Sequence, residues 1–341
     1  MDLTPTAEQL GFVRSLEAML TAADVPPAAR AWAAGDTAPG RAVWSRLADA
    51  GLFALAAPET YDGVGPLPVE LALAFTELGR AAVPGPLVET VGAVVLLAQL
   101  AELGDAAPAK RLLPGLVAGD ETATLTVAGH GALALDPAAA GLLLVVEPEE
   151  PDGGAARLRC APGHGPVRVS ADPVRRLAAP LAGGEILASG PHVAAAADRA
   201  AALARLLTAA QALGVGLTLL EATVAHVRQR TQFGVAVGSF QAVKHRLADT
   251  LIGLEFARPL LHGAALTLAP ADICAAKVTA GEAAYAAAGT ALQLHGAVGY
   301  TDELDLALWL RKARPLRDAW GSPARCRAEV LAGPTRRRGV S

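Results

Sequence analysis

Arg230-Thr231-Gln232-Phe233-Gly234 is followed by Ser239-Phe240-Gln241-Ala242-Val243-Lys244-His245 and then by Leu247-Ala248-Asp249. This stretch decides the fold, together with Gln293-Leu294-His295-Gly296-Ala297-Val298-Gly299-Tyr300-Thr301-Asp302-Glu303 further on. The first segment sets a guanidinium, an amide and an aromatic ring at a helix end before a glycine break. Such a guanidinium can grip a phosphate with two parallel hydrogen bonds. A helix starting near Ser239, read as its N-cap, adds free N–H groups and a positive dipole end. The second segment places glycines between two helices, where the backbone turns sharply or approaches something closely. Alone, each pattern is common: an arginine at a helix end usually caps it, and a glycine pair is usually a turn.

Working outward, the C-terminal third reads as long helices with apolar stripes. Leu203, Leu206, Leu207, Ala210, Leu213, Leu217, Leu220, Val224 and Val227 mark one, and Phe240, Val243, Leu247, Leu251 and Leu254 the next. Ile273 to Leu294 gives a third helix and Leu304 to Arg314 a fourth, which implies a bundle. At the other end, Thr4-Pro5 reads as an N-cap with proline at the first helical position. Helices are expected over 6–20, 41–51, 69–81 and 87–103, broken by Pro58 to Pro66 and by Pro84-Gly85-Pro86. Between these halves, Thr122 to Val127, Gly141 to Glu147, Arg157 to Cys160 and Val167 to Ser170 read as strands. The expected fold is mainly α with a small, barrel-like β-domain. The helical N-terminal domain covers 1–118, the reduced β-domain 119–190 and the four-helix bundle 191–341.

The 341 residues are 52% apolar and 18% charged, with net charge −4. That composition supports a large core and argues against disorder and against a general nucleic-acid binder. No basic and apolar leader opens the chain, and the stretch read as its longest greasy run, around Val91 to Ala101, is too short for a membrane span. Cys160, Cys274 and Cys326 form no close pair in sequence, so a reduced, cytoplasmic protein is expected, without a metal site.

The two motif segments together resemble the acyl-CoA dehydrogenase family, which carries R-x-x-F-G, F-Q and L-A-D on its bundle and Q-x-x-G-G-x-G before its final helix. Thr6 to Leu20, Pro58 to Gly65 with Glu77 to Ala81, and Asp172 to Ala179 are similar to further family segments. The resemblance implies an FAD-dependent oxidoreductase that desaturates an acyl-CoA thioester and assembles as a dimer or tetramer. It implies that Arg230, Gln232, Phe233 and Gln241, with Gln293, Gly296 and Ala297, hold the pyrophosphate and adenosine half of FAD at a subunit interface. It also places Arg205 near the substrate.

The sequence departs from the family at the general base. One family position for the glutamate aligns with Trp320 and the other with Ala204, and neither side chain accepts a proton. Ala297 replaces a motif glycine, Asp62 replaces a loop glycine, and the segments that normally touch the flavin ring are not found. Thr124 and Thr126 lie in a comparable strand. Three readings follow: a base-lacking subunit that completes the site of a base-bearing homologous partner; a self-sufficient enzyme with a displaced base, Asp318 or Glu303; or other flavin chemistry. A flavin-free scaffold is the remaining alternative, opposed by the retained Arg230, Phe233, Gln241 and Gln293.

Overall fold

The computed structural model describes residues 3–148, 155–168 and 170–333. Six helices come first: α1 (Ala7–Ala23), α2 (Val25–Ala33), α3 (Ala38–Asp49), α4 (Pro68–Arg80), α5 (Leu87–Glu102) and α6 (Ala107–Val117). Helix α1 starts two residues later than Thr4 suggests. Thr6 Oγ1 accepts from the Gln9 N–H and the Gln9 side chain accepts from the Thr6 N–H, a reciprocal cap that satisfies two otherwise orphaned donors. Helices α2 and α6 escape a reading of apolar spacing. In α2, Pro26 and Pro27 look like breakers, yet both sit in the first turn, where no N–H is needed.

Strands β1 (Ala123–Val127), β3 (Leu142–Glu147), β4 (Arg157–Cys160) and β6 (Glu185–Ser189) form one sheet in the order β1-β3-β4-β6. The β1–β3 pair is parallel and the other two pairs are antiparallel. A separate ladder joins β2 (Ala134–Leu135) to β5 (Leu177–Ala178), extended by bridges at His164 and Arg168. The expected strand over 167–170 is thus only a bridge at Arg168, and position 169 lies outside the described residues. Strand β6 follows Gly183 and Gly184, both at positive φ, and its exposed Glu185 and Ile186 hide it from a burial pattern.

The remaining elements are α7 (Pro191–Gln229), a hairpin of β7 (Thr231–Gln232) and β8 (Val235–Ala236), α8 (Gln241–Thr267), α9 (Pro270–His295), α10 (Leu306–Asp318) and α11 (Pro323–Ala332). Helices α7 to α10 are the four bundle helices read from the sequence, and α11 adds a fifth. Helix α7, about 58 Å long at 1.5 Å per residue, is the spine of the molecule. It is the one described helix long and apolar enough to cross a membrane, but 89% of its most apolar window is buried inside the protein.

Two glycines let α4 and α7 touch backbone to backbone. A Cβ at Gly214 would stand 2.0 Å from the Thr76 carbonyl oxygen, and one at Gly79 would stand 2.2 Å from that of Gln211. Helix α5 is buried almost throughout and is tied to β1 by Thr90, whose hydroxyl donates to Ala123 O (2.8 Å) and accepts from Ala123 N–H (3.1 Å). That pair of hydrogen bonds fixes the strand region against the helices.

Candidate active site

At one end of the bundle the two motif segments meet. Arg230 leaves α7 in extended conformation, and its Nη1 donates to the His295 carbonyl at the end of α9 (3.1 Å). His226 and His295 stack beside it with ring centroids 4.1 Å apart. Gly296 turns the chain at φ 64°, and a Cβ there would come within 3.7 Å of Arg230 Nη1. Phe233, at φ 55°, is 92% exposed and meets Phe240 edge to face at 6.4 Å. Gln232, Gln241, Gln293 and Ala297 are all exposed around it.

Ser239 is not the cap of α8. Its hydroxyl donates to Ala236 O (2.6 Å), and the helix starts at Gln241 after Phe240, with no side chain on its first N–H groups. The face therefore carries a guanidinium, three amides, two aromatic rings and an uncapped helix start. Those groups match a phosphodiester with an attached aromatic base: cation and N–H donors for the oxygens, rings for stacking. On this chemistry the residues fit the pyrophosphate and adenosine half of FAD.

A second cluster of buried polar groups surrounds the turn after α10. Trp320 takes φ 56° and Gly321 φ 155°. Buried Lys277 holds this turn: its Nζ donates to the carbonyls of Leu316 (2.9 Å), Arg317 (2.7 Å) and Gly321 (3.3 Å). Burial lowers the Lys277 amine to about 8. From the other side Arg205 donates through Nε to Trp320 O (3.0 Å), and through its terminal nitrogens to Glu329 (2.7 and 3.3 Å) and to the Cys274 sulfur (2.9 Å).

Four of the five donors of that guanidinium are thus engaged within the protein. Arg205, read from the sequence as substrate-binding, thus carries the Trp320 turn through these bonds. Burial raises the Glu329 carboxyl, but the Cys274 thiol and Arg205 outweigh it and hold the group at about 2.

Trp320 forms one wall of a cavity of about 310 Å³, at the lower edge of ordinary ligand-site volumes. Leu125, Val127, Leu133, Leu135 and Leu177 give it an apolar interior, and Glu89, Thr126, His130, Ser170 and Arg175 bring polar groups to it. Glu89 is 4% exposed. Its Oε1 accepts a hydrogen bond from Trp320 Nε1 (3.1 Å), and its Oε2 has no partner on any other of the described residues. Burial raises its pKa above the usual carboxylate range, opposed by Arg175 and the indole N–H. The His130 ring lies 6.1 Å from that of Trp320, and burial, then Arg325 and Arg205, lower its pKa.

Asp318 and Glu303, the displaced-base candidates of the sequence, do not reach this cavity. Asp318 is paired with Arg317 on the surface (3.1 Å), and Glu303 is exposed in the bend before α10. Thr126 lines the cavity, and Thr124 is buried with its hydroxyl unpartnered. The sequence reading passed over Glu89. The signal was present: it is the only charged residue between Arg80 and Glu102, in the first turn of a mostly apolar helix.

The profile of the acyl-CoA dehydrogenase N-terminal domain matches residues 6–120, and that of the C-terminal domain matches 194–331. The chain belongs to the acyl-CoA dehydrogenase family. It is 34% identical to the acyl-CoA dehydrogenase IpdE2 of Mycobacterium tuberculosis, over 97% of this chain and all of that relative. Among solved structures, its fold matches the ChsE4-ChsE5 complex of Mycobacterium tuberculosis at TM-score 0.81 and 25% identity, over 98% of this chain and 100% of that one. A steroid ACAD, Tcur3481-Tcur3483, matches at TM-score 0.80 and 25% identity, over 95% and 96%. The match spans the whole length of IpdE2 and of the ChsE4-ChsE5 chain.

Proposed function

We propose that this chain is a subunit of an FAD-dependent enzyme that desaturates an acyl-CoA thioester between its α- and β-carbons, in the cytoplasm. The supporting observation is the bundle-end face, where Arg230, joined to the second motif through His295 O, stands among exposed Gln232, Phe233, Gln241 and Gln293. An exposed, preassembled phosphate-and-ring cradle at a chain surface fits a cofactor shared with a neighbour. When bound, FAD would supply the acceptor for the hydride leaving the β-carbon. Arg230 and the first turn of α8 would neutralise the pyrophosphate, and the cavity beside Trp320 would hold the thioester end of the substrate and exclude water.

A second subunit of the same fold is the natural neighbour. Helix α8 exposes an apolar stripe at four-residue spacing, Ile252 (51%), Phe256 (68%) and Leu260 (44%), that an isolated chain would leave in water. The vacant base positions at Trp320 and Ala204 support pairing with a homologous, base-bearing chain, as does similarity to a solved two-component complex.

The test is to purify the chain alone and with a base-bearing homologue. The readouts are flavin absorbance, assembly size and desaturation with an artificial electron acceptor. Stoichiometric flavin in an oligomer is expected. Protein that stays colourless with added FAD, alone and with the homologue, would refute the reading.

A further inference from the structure

Three positions converge on one stretch of α5. Trp320, at the first vacant base position, donates its indole N–H to Glu89. Ala204, at the second, packs on α5 at Gly92: a Cβ built there would lie 4.0 Å from the Ala204 methyl. Gly92 is three residues beyond Glu89, so both face the same side of the helix. The two places from which the family delivers a carboxylate thus bracket a third place that has one. Glu89 is nearly fully buried and lines the cavity, with one oxygen anchored and the other unpartnered. A general base needs a direction fixed by an anchor and an oxygen whose lone pairs no other residue takes, and Glu89 holds that oxygen enclosed beside the cavity.

We propose that Glu89 is the proton-accepting residue of this chain's own site, with Trp320 converted from base to anchor. The proposal rests on the acyl-CoA reading above. The Glu89 carboxylate takes the proton as the α C–H bond breaks. That electron pair becomes the α,β π bond as the β-hydride passes to the oxidised flavin. The chain can then pair with a homologue without being silent itself.

The charges around Glu89 suit the role. Arg175 lies in the same cavity wall, where it favours the carboxylate. Asp136 opposes it but is neutralised by Arg176 (3.0 Å), and Lys312 across a small void is paired with Asp172 (3.0 Å). His130 completes the titratable groups of the wall. Burial keeps the carboxyl above its usual range and so makes it a stronger base once ionised.

The experiment compares wild type, Glu89→Gln, Glu89→Asp and Asp318→Asn as flavin-loaded assemblies. The readout is deuterium uptake at the α-carbon of hexanoyl-CoA and of 3-phenylpropanoyl-CoA in D2O. Glu89→Gln should slow uptake at least about 100-fold, with flavin content unchanged. Glu89→Asp should restore part of the rate, and Asp318→Asn should behave as wild type. Independently of turnover, the Trp320 emission, taken as the difference between wild type and Trp320→Phe, should titrate with pH and should lose that titration in Glu89→Gln. Uptake in Glu89→Gln equal to wild type overturns this proposal alone. A flavin-loaded wild type that exchanges neither thioester overturns the acyl-CoA reading and this proposal with it.

Discussion

The bond from Trp320 Nε1 to Glu89 Oε1 carries a free energy that a double-mutant cycle can isolate. The perturbations are Trp320→Phe, which removes the donor, and Glu89→Met, which removes the acceptor at similar volume. The bond is 3.1 Å long, to a carboxyl that is 4% exposed. A hydrogen bond to an ionised group contributes about 1.5–3 kcal/mol, and one between neutral groups about 0.5–1.5 kcal/mol. Coupling should therefore be about 2 kcal/mol where Glu89 is ionised and about 1 kcal/mol where it is protonated. The void left by the smaller ring occurs on both sides of the cycle and cancels.

The sign of the pH effect is fixed by burial. The folded pKa of Glu89 is raised, so the folded state holds its proton longer than the unfolded chain does. Below the unfolded value of about 4.3 the group carries no ionisation cost, and the cost grows as pH rises toward the folded pKa. Stability of Glu89→Met relative to wild type should thus increase from pH 5 to pH 8.5, while the Trp320–Glu89 coupling grows. Urea unfolding of the four proteins at both pH values measures both quantities through midpoints at constant m. Additivity within about 0.3 kcal/mol at both pH values refutes the claim that Trp320 anchors Glu89.

Gly214→Ala would drive a methyl into the Thr76 carbonyl and part α4 from α7, a loss of about 2 kcal/mol or more by chemical denaturation. Lys277→Met removes the donor of three carbonyl bonds under the Trp320 turn and should cost about 2–4 kcal/mol. Wild type should also gain stability relative to this variant as pH rises from about 8 toward 10.5, because the folded amine sheds its proton first. Arg230→Ala should weaken FAD retention about 10- to 100-fold by equilibrium dialysis, with little change in melting temperature, since among the described residues its side chain bonds to His295 O alone.

The long helices of the C-terminal third were legible because their apolar residues recur at helical spacing over many turns. Strands β1, β3 and β4 were legible because they are apolar or β-branched runs between breakers. Elements with little periodic signal were not: α2 carries its prolines in the first turn, and β6 is mostly exposed. The Ser239 hydroxyl turned inward to Ala236 O, so a good capping residue did not cap. The sequence indicated the bundle-end cradle because its residues lie in two compact segments. The cavity residues lie on α5, β1, the loop around His130, the segment near Arg175 and the end of α10. No spacing rule links them.

Local sequence by itself determined most helical and strand segments and the two compact motif segments at the bundle end. Those properties depend on hydrogen bonding and apolar periodicity within a few turns of chain, which neighbouring residues set. Only the tertiary structure decided which buried polar groups face one another. It spent the Arg205 guanidinium on Glu329 and Trp320, left Asp318 and Glu303 in water, and brought Glu89 under the Trp320 indole across 231 residues of chain. Placing a carboxylate in an apolar helix is a local choice. Its protonation and reach depend on desolvation and on partners that only packing supplies.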